Sequence, residues 1–285
     1  MRALILDGIV GGLQLGLLAV GLTLLYGLGG VLNLAHGAIA VAAAMTTSLS
    51  MDAGLPAVAA VALGIVVAMA IGLLLDQTLM RPVYAMEGEG RVLLSLLLTL
   101  GTAFVIDGVL GWRYPNEALS LRVGTGSLPV LGVRMRIGSL VASGIALVSI
   151  GAVIGFLRGS RLGRAVRSVI QDEEGARLIG VDPARVRTLI FGLSAALAGL
   201  VAVTQSMTSP VTVNSGLNFT ILALIVTVVG GLGSATGALL AGILLGIVNA
   251  LSAYWIGAYI TSIILLAAAA ATILVRPAGL LGRSH

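Results

Sequence analysis

Asn33 and His36 stand three residues apart in VLNLAHGAIA, residues 31–40, and between Asp7 and Asp52 the only other ionisable side chain is Tyr26. Residues i and i+3 share one face of a helix, so the spacing sets an imidazole and a carboxamide side by side. That pair can hydrogen-bond a polar solute, relay a proton, or bridge neighbouring helices. Gly29, Gly30 and Gly37 bracket it, and each glycine costs a helix about 1 kcal/mol relative to alanine. An unpaired polar group in hydrocarbon costs several kcal/mol, so such residues face a protein interior or a wet cavity. Two readings stand: Asn33 and His36 bridge packed helices, or they line a transport path at a broken helix.

Other polar side chains are scattered along apolar runs. Asp107, in LLTLGTAFVIDGVLGW, falls near the outer end of its run, and an aspartate at mid-membrane would cost about 2.5–3.5 kcal/mol. It is therefore expected at the interface, wet or paired, with substrate contact as the other reading. Thr99 and Asn249 are placed facing a seam between helices. Gln205, Asn214 and Asn218 flank a turn that contains Pro210, where they are solvated or contact another protein.

Several chemistries are excluded. The chain has no cysteine, hence no thiol or disulfide chemistry, and its two histidines, His36 and the terminal His285, make a metal site improbable. A serine hydrolase lacks its motif, since Val213–Asn214–Ser215–Gly216 has no leading glycine and no second intramembrane histidine completes a dyad. No lysine occurs anywhere, so the phosphate-binding motif G-x-x-x-x-G-K-[ST] cannot be written. The chain is not expected to be an enzyme or to hydrolyse ATP itself.

The elements that must position these residues are membrane helices. Of 285 residues, 58% are hydrophobic and 9% charged, against about 25% charged in a soluble domain; mean hydropathy is +1.13. Apolar runs predict spans at Leu4–Leu28, Val31–Leu49, Leu55–Leu75, Val92–Trp112, Ile137–Leu157, Thr188–Met207, Phe219–Gly231, Ala238–Trp255 and Tyr259–Leu274. The fold class is thus all-α and polytopic, with about eight to nine transmembrane helices, some discontinuous: Val31–Leu49 and Phe219–Gly231 are the candidates for breaks. The first run is too long for a cleaved signal peptide. Glycines repeat at small-xxx-small spacing in Gly8–Gly12–Gly16, Gly151–Gly155–Gly159, Gly233–Gly237 and Gly242–Gly246, which points to close helix packing in a bundle or against a partner.

Arginine sets the orientation. Seven of the 16 lie in the longest polar insertion, residues 158–187. Placing it in the cytoplasm also puts Arg81, Arg91, Arg276 and Arg283 inside and leaves Arg2, Arg113, Arg122, Arg134 and Arg136 outside. This explains the basic pI without nucleic acid as a partner. Within the insertion, Asp172 is an N-cap, Glu173 and Glu174 suit a helix start, Gly175, Ala176, Leu178 and Ile179 continue it, and Gly180 suits C′. Asp182–Pro183 then restarts a helix. A helix of about two turns is expected, either as part of a solvated loop or as a docking element for a groove on a partner.

The segment GRAVRSVIQDEEGARLIGVDPARVR resembles the cytoplasmic loop of inner-membrane permeases of the branched-chain amino acid ABC importer family. YGLGGVLNLAHGAIAVAAA, VTVVGGLGSATGALLAGILLG, LMRPVY and LVRPAGLLG resemble further family motifs in the same order over nearly the whole chain, in the branch with the shorter N-terminus. Ala38 departs from it, standing where many members carry a polar residue. The resemblance implies one permease domain, residues 1–285, in the cytoplasmic membrane, with residues 158–187 as its coupling loop and Asp172 to Gly180 as the ATPase-coupling helix. It implies separate ABC ATPase subunits that hold ATP and Mg²⁺, a second and non-identical permease, and an extracytoplasmic solute-binding protein, with no cofactor on this chain. The cargo it implies is a branched-chain or other apolar amino acid. The alternatives are urea, short amides or small carboxylates on the same scaffold, or, from another class, a proton-coupled carrier using His36 or Asp107.

Overall fold

The structure is a computed structural model that describes residues 1–281 apart from Glu87, Thr125, Leu131 and Pro277. Gly282, Arg283 and His285 therefore lie outside the described residues. The helices are α1 (Arg2–Gly29), α2 (His36–Asp52), α3 (Ala57–Leu75), α4 (Arg81–Tyr84), α5 (Gly88–Arg113), α6 (Ile137–Gly159), α7 (Arg161–Gln171), α8 (Glu173–Leu178), α9 (Pro183–Ser206), α10 (Ser215–Gly230), α11 (Ala235–Trp255) and α12 (Ala258–Val275). One π-helical turn, Asp76–Met80, joins α3 to α4. Among the described residues, six helical segments are long and apolar enough to cross a membrane, and two shorter apolar helices accompany them. The molecule is a multi-pass membrane protein.

Small residues let the backbones approach. α1 and α11 run antiparallel in contact along their length. A Cβ on Gly8 would sit 2.6 Å from Ile247 Cα, and one on Gly12 would sit 2.6 Å from Ile243 Cα. α9 packs on α1 with the same antiparallel sense: Thr204 Oγ1 donates to Gln14 Oε1 (2.6 Å) and Ser194 Oγ to the Gly21 carbonyl (2.8 Å). α3 packs antiparallel on α9, with Gly72 close to Ala195 and Gly192 close to Leu73. In contrast, Gly151, Gly155 and Gly159 on α6 meet nothing within 4 Å among the described residues.

Two crossings are broken. After α1 the chain turns at Gly30, whose φ of 61° is left-handed, and residues 31–35 climb back beside α1 without helical structure before α2 begins. After α9, residues 207–214 precede α10. The series α1–break–α2–α3 and α9–break–α10–α11 thus repeat with opposite sense across the bundle, an arrangement that puts discontinuous helices at the repeat interface. The predicted Val31–Leu49 span is this extended-then-helical crossing, and the predicted Phe219–Gly231 span is α10, which starts earlier, at Ser215.

Apolar periodicity did not show the short strands at the end opposite α8. β1 (Ala118–Leu119) pairs antiparallel with β4 (Val211–Thr212), and β2 (Ser127–Val130) with β3 (Val133–Arg136). The first pair ties the loop before α6 to the break before α10.

Candidate functional site

The two breaks meet. Gly37, second residue of α2, lies against the Gly216 carbonyl, and Gly216, second residue of α10, lies against the Ala38 backbone. No side chain separates the two half-helix N-termini, so glycine is needed on both sides. Their freed backbone groups are satisfied by hydroxyls. Leu32 N–H donates to Ser95 Oγ (3.2 Å), Leu34 N–H to Thr99 Oγ1 (3.0 Å), and Gly37 N–H to Thr220 Oγ1 (3.0 Å). Thr220 Oγ1 donates in turn to the Leu34 carbonyl (3.1 Å). The extended segment is stapled by α5 on one side and α10 on the other. Lipid-depth backbone outside a helix survives only where protein or a wet cavity covers it.

The structure brings Asn33, His36 and Thr99 to this crossing. Asn33 is 1% exposed and its Oδ1 accepts from Ala35 N–H (3.0 Å), an Asx turn that starts α2. His36 is fully buried, and its Nε2 lies 3.1 Å from the Leu18 carbonyl. A carbonyl only accepts, so Nε2 carries the proton and Nδ1 is the lone-pair nitrogen. Among the described residues, Asn33 Nδ2 and His36 Nδ1 have no partner. Asp107 reaches the same place from α5. Its Oδ1 is buried beside Gly216, without a partner among the described residues, at the N-terminus of α10, where the helix dipole favours a carboxylate.

Asn249 does not join them. It lines a separate cavity of about 160 Å³ between α1, α9, α10 and α11, with Gln14, Gln205 and Asn218. Gln14 drew no attention in the sequence, because one glutamine in a long apolar run has no spacing partner.

At the opposite end, Asp172 Oδ1 accepts from the N–H groups of Glu174 and Gly175, both at 3.0 Å, and starts α8. Gly180, with φ of 84°, ends that segment in the left-handed region, and Asp182 Oδ1 caps α9 through Ala184 N–H (3.0 Å). α8 has six residues, close to the two turns expected. Ala176 is buried against the bundle, while Leu178 and Ile179 are 84% and 74% exposed. Glu173 pairs with Arg177 at 2.6 Å and also with Arg187 of α9. α7, a second helix within the insertion, begins at its Ser160 cap, whose Oγ accepts from Gly163 N–H at 2.9 Å.

A network missed in the sequence anchors α8. Tyr84 Oη donates to Asp76 Oδ1 (3.0 Å), Thr188 Oγ1 donates to Asp76 Oδ2, and the Arg187 guanidinium lies over the Tyr84 ring. The π-helical turn presents Asp76 to both α4 and α9. Four scattered residues, Asp76, Tyr84, Glu173 and Arg187, share no local spacing that would reveal them. A cleft of about 510 Å³ opens beside them, lined by Asp76, Arg81, Asp182 and Arg185 among others.

Residues 4–275 match the family model described as branched-chain amino acid transport system / permease component. The chain is 29% identical to the high-affinity branched-chain amino acid transport system permease protein BraD of Pseudomonas aeruginosa, covering 98% of this chain and 95% of that protein. It is 28% identical to the permease protein LivH of Escherichia coli K12, covering 97% of this chain and 94% of that protein. LivM of E. coli K12 is 36% identical over 110 residues, 37% of this chain and 25% of that protein.

Proposed function

This chain belongs to the family of branched-chain amino acid transport system permease components, and from that premise we propose that it forms part of the membrane path of an importer of small aliphatic amino acids, driven by separate ATPase subunits. The observation that carries this reading is α8: a capped helix that buries one face, exposes Leu178 and Ile179, and is tied to α9 through Glu173 and Arg187. Such an element accepts a push from the cytoplasm and hands it to the bundle as a rigid body. The ATPase subunits hold ATP and Mg²⁺ and seat α8 in a groove, the helix-in-groove mode of recognition.

A second permease completes the path. The likeness to both LivH and LivM, two permeases of one bacterium, supports a non-identical partner. The strand-bearing end faces outward and receives a solute-binding protein. Arginine counts on the two sides support this orientation. At the crossing, Asn33 and His36 hold the broken backbone together, and the extended segment moves with α8 through the end of α1.

Uptake into sealed vesicles tests this. With the complete transporter and ATP maintained, accumulation of L-leucine or L-valine persists when an uncoupler collapses the proton gradient, and it stops when the ATPase subunits are left out. Accumulation by this chain alone, or its abolition by the uncoupler while ATP is held constant, overturns the reading in favour of a proton-coupled carrier.

A further inference from the structure

The cavity of about 160 Å³ beside Asn249 differs in character from the crossing at Gly37 and Gly216. Four carboxamides, Gln14, Gln205, Asn218 and Asn249, converge on it over carbon surface from Leu18 and Phe219, and no charged residue lines it. Gln14 is 4% exposed. Thr204 Oγ1 donates to its Oε1 at 2.6 Å, which fixes the amide plane and leaves Nε2 buried with no partner among the described residues. A buried donor without an acceptor is costly, and a ligand oxygen relieves that cost.

The same space adjoins the start of a long helix. Asn218 and Phe219 follow directly on the N-terminus of α10, which begins at Ser215 and runs 16 residues. Asp107 already stands at that N-terminus, beside Gly216, so the anion-binding donor of this cavity is Gln14 Nε2. Gln205 adds an acceptor: its Nε2 spends one of its two hydrogens on Ser209 Oγ (3.1 Å), and its carbonyl oxygen can accept from a ligand. Asn218 and Asn249 sit exposed at the rim, on α10 and α11. Lipid penalises carboxamides at that depth, so this mouth opens onto protein or water.

Size narrows the ligand. An apolar cavity of about 150 Å³ holds benzene, so this one suits a molecule of about six to eight heavy atoms with a short aliphatic tail.

We propose that this cavity binds a small aliphatic amino acid. Its carboxylate meets Gln14 Nε2, its ammonium meets the carboxamide oxygens, and its side chain packs on Leu18 and Phe219. The identity of the ligand rests on the importer reading; the place where this chain holds it is the added step.

Thermal unfolding of the purified full chain in lipid nanodiscs reads the site. L-valine raises the midpoint; isobutylamine, which lacks the carboxylate, and isovalerate, which lacks the ammonium, do not. Gln14→Glu keeps an acceptor for Thr204 but sets an anion where the carboxylate sits, so valine binding weakens about tenfold or more. Should that variant fail to fold, Asn249→Leu at the rim makes the same test, with a weakening of several-fold. No shift with millimolar L-valine overturns the proposal, as does a shift equally large with isobutylamine, or unchanged affinity in both variants. Uptake by the complete transporter separates the two readings. Valine uptake that is normal in both variants sinks the cavity and leaves the importer standing, whereas a complete transporter that carries no aliphatic amino acid sinks the importer.

Discussion

The guanidinium of Arg187 lies over the ring of Tyr84, with 4.6 Å from Cζ to the ring centroid, while its Nη2 meets the carboxylate of Glu173. Arg187 thereby joins the first residue of α8 to the last residue of α4. Tyr84 continues the contact toward the broken crossing. Its ring borders Gly29, and Arg91 donates to the Gly29 and Tyr84 carbonyls at 3.4 Å each. A displacement of α8 therefore reaches the end of α1, where residues 31–35 begin, through packed and bonded groups rather than through solvent.

Arg187→Met removes both the ion pair and the cation–π contact at a site 6% exposed. With Glu173 still 30% exposed to water, the expected loss of stability is about 2 kcal/mol, below that of a fully buried pair. The coupling should suffer more than the fold. Substrate-stimulated ATP hydrolysis by the complete transporter should fall several-fold, while Arg177→Met, whose ion pair is 62% exposed on the arginine side, should leave it near the parent value. Equal rates in both variants would remove Arg187 from the coupling path.

Gly37 tests the crossing itself. A Cβ there would enter the space of the Gly216 carbonyl and come 2.6 Å from Thr220 Oγ1, and both neighbours are fixed by backbone and hydrogen bonds. Gly37→Ala is expected to cost about 3 kcal/mol or more, as overpacking against backbone does. Gly101→Ala on α5, where nothing lies within 4 Å, should be neutral or slightly stabilising. Thermal unfolding of the two variants side by side checks the contrast; a Gly37→Ala protein as stable as the parent would show that the half-helices do not meet.

The legible parts of this molecule were those written in contiguous residues. Long apolar runs marked the membrane helices, the Asp172 and Asp182 caps with Gly180 marked the ends around α8, and the glycines before Asn33 marked the break. Glycine spacing also marked α1 and α11 as close-packed, though not against each other. What stayed hidden is what folding assembles from far apart: Gln14 on Thr204, Arg187 on Tyr84, Thr220 on Gly37. The α6 stripe Gly151–Gly155–Gly159 shows the converse, since the same spacing that packs α1 on α11 meets nothing within 4 Å among the described residues. Pattern identifies a small-residue face without naming its partner.

His36 offers a way to separate a structural from a proton-carrying role. It packs on α1 closely enough that a Cβ on Gly21 would fall 2.9 Å from its Cε1, and its Nε2–H is committed to the Leu18 carbonyl. His36→Leu deletes that bond and is expected to cost about 1 kcal/mol, whereas His36→Gln supplies a side-chain amide donor in its place. ATP-driven uptake by the Gln variant should stay within about threefold of the parent, equivalent to under 1 kcal/mol. Complete loss of uptake in a His36→Gln protein that is folded and inserted would assign the imidazole a titrating role.

Leu178 and Ile179 supply the last test, because their exposure is hard to account for within this chain. They are 84% and 74% exposed at the end of α8, next to Ala176, which is 2% exposed and packed. The helix is thus oriented with its small residue inward and its large apolar residues outward, the reverse of what burial alone would select. Replacing both with serine removes little packing from the free chain, so its stability should change by no more than about 0.5 kcal/mol. Against an ATPase groove the same change deletes two anchors, and truncating anchors of this kind costs about 1–2 kcal/mol each. Co-purification of the ATPase subunits with the membrane part should therefore weaken by about tenfold or more. Undiminished co-purification of the double variant would place the ATPase contact elsewhere on residues 158–187.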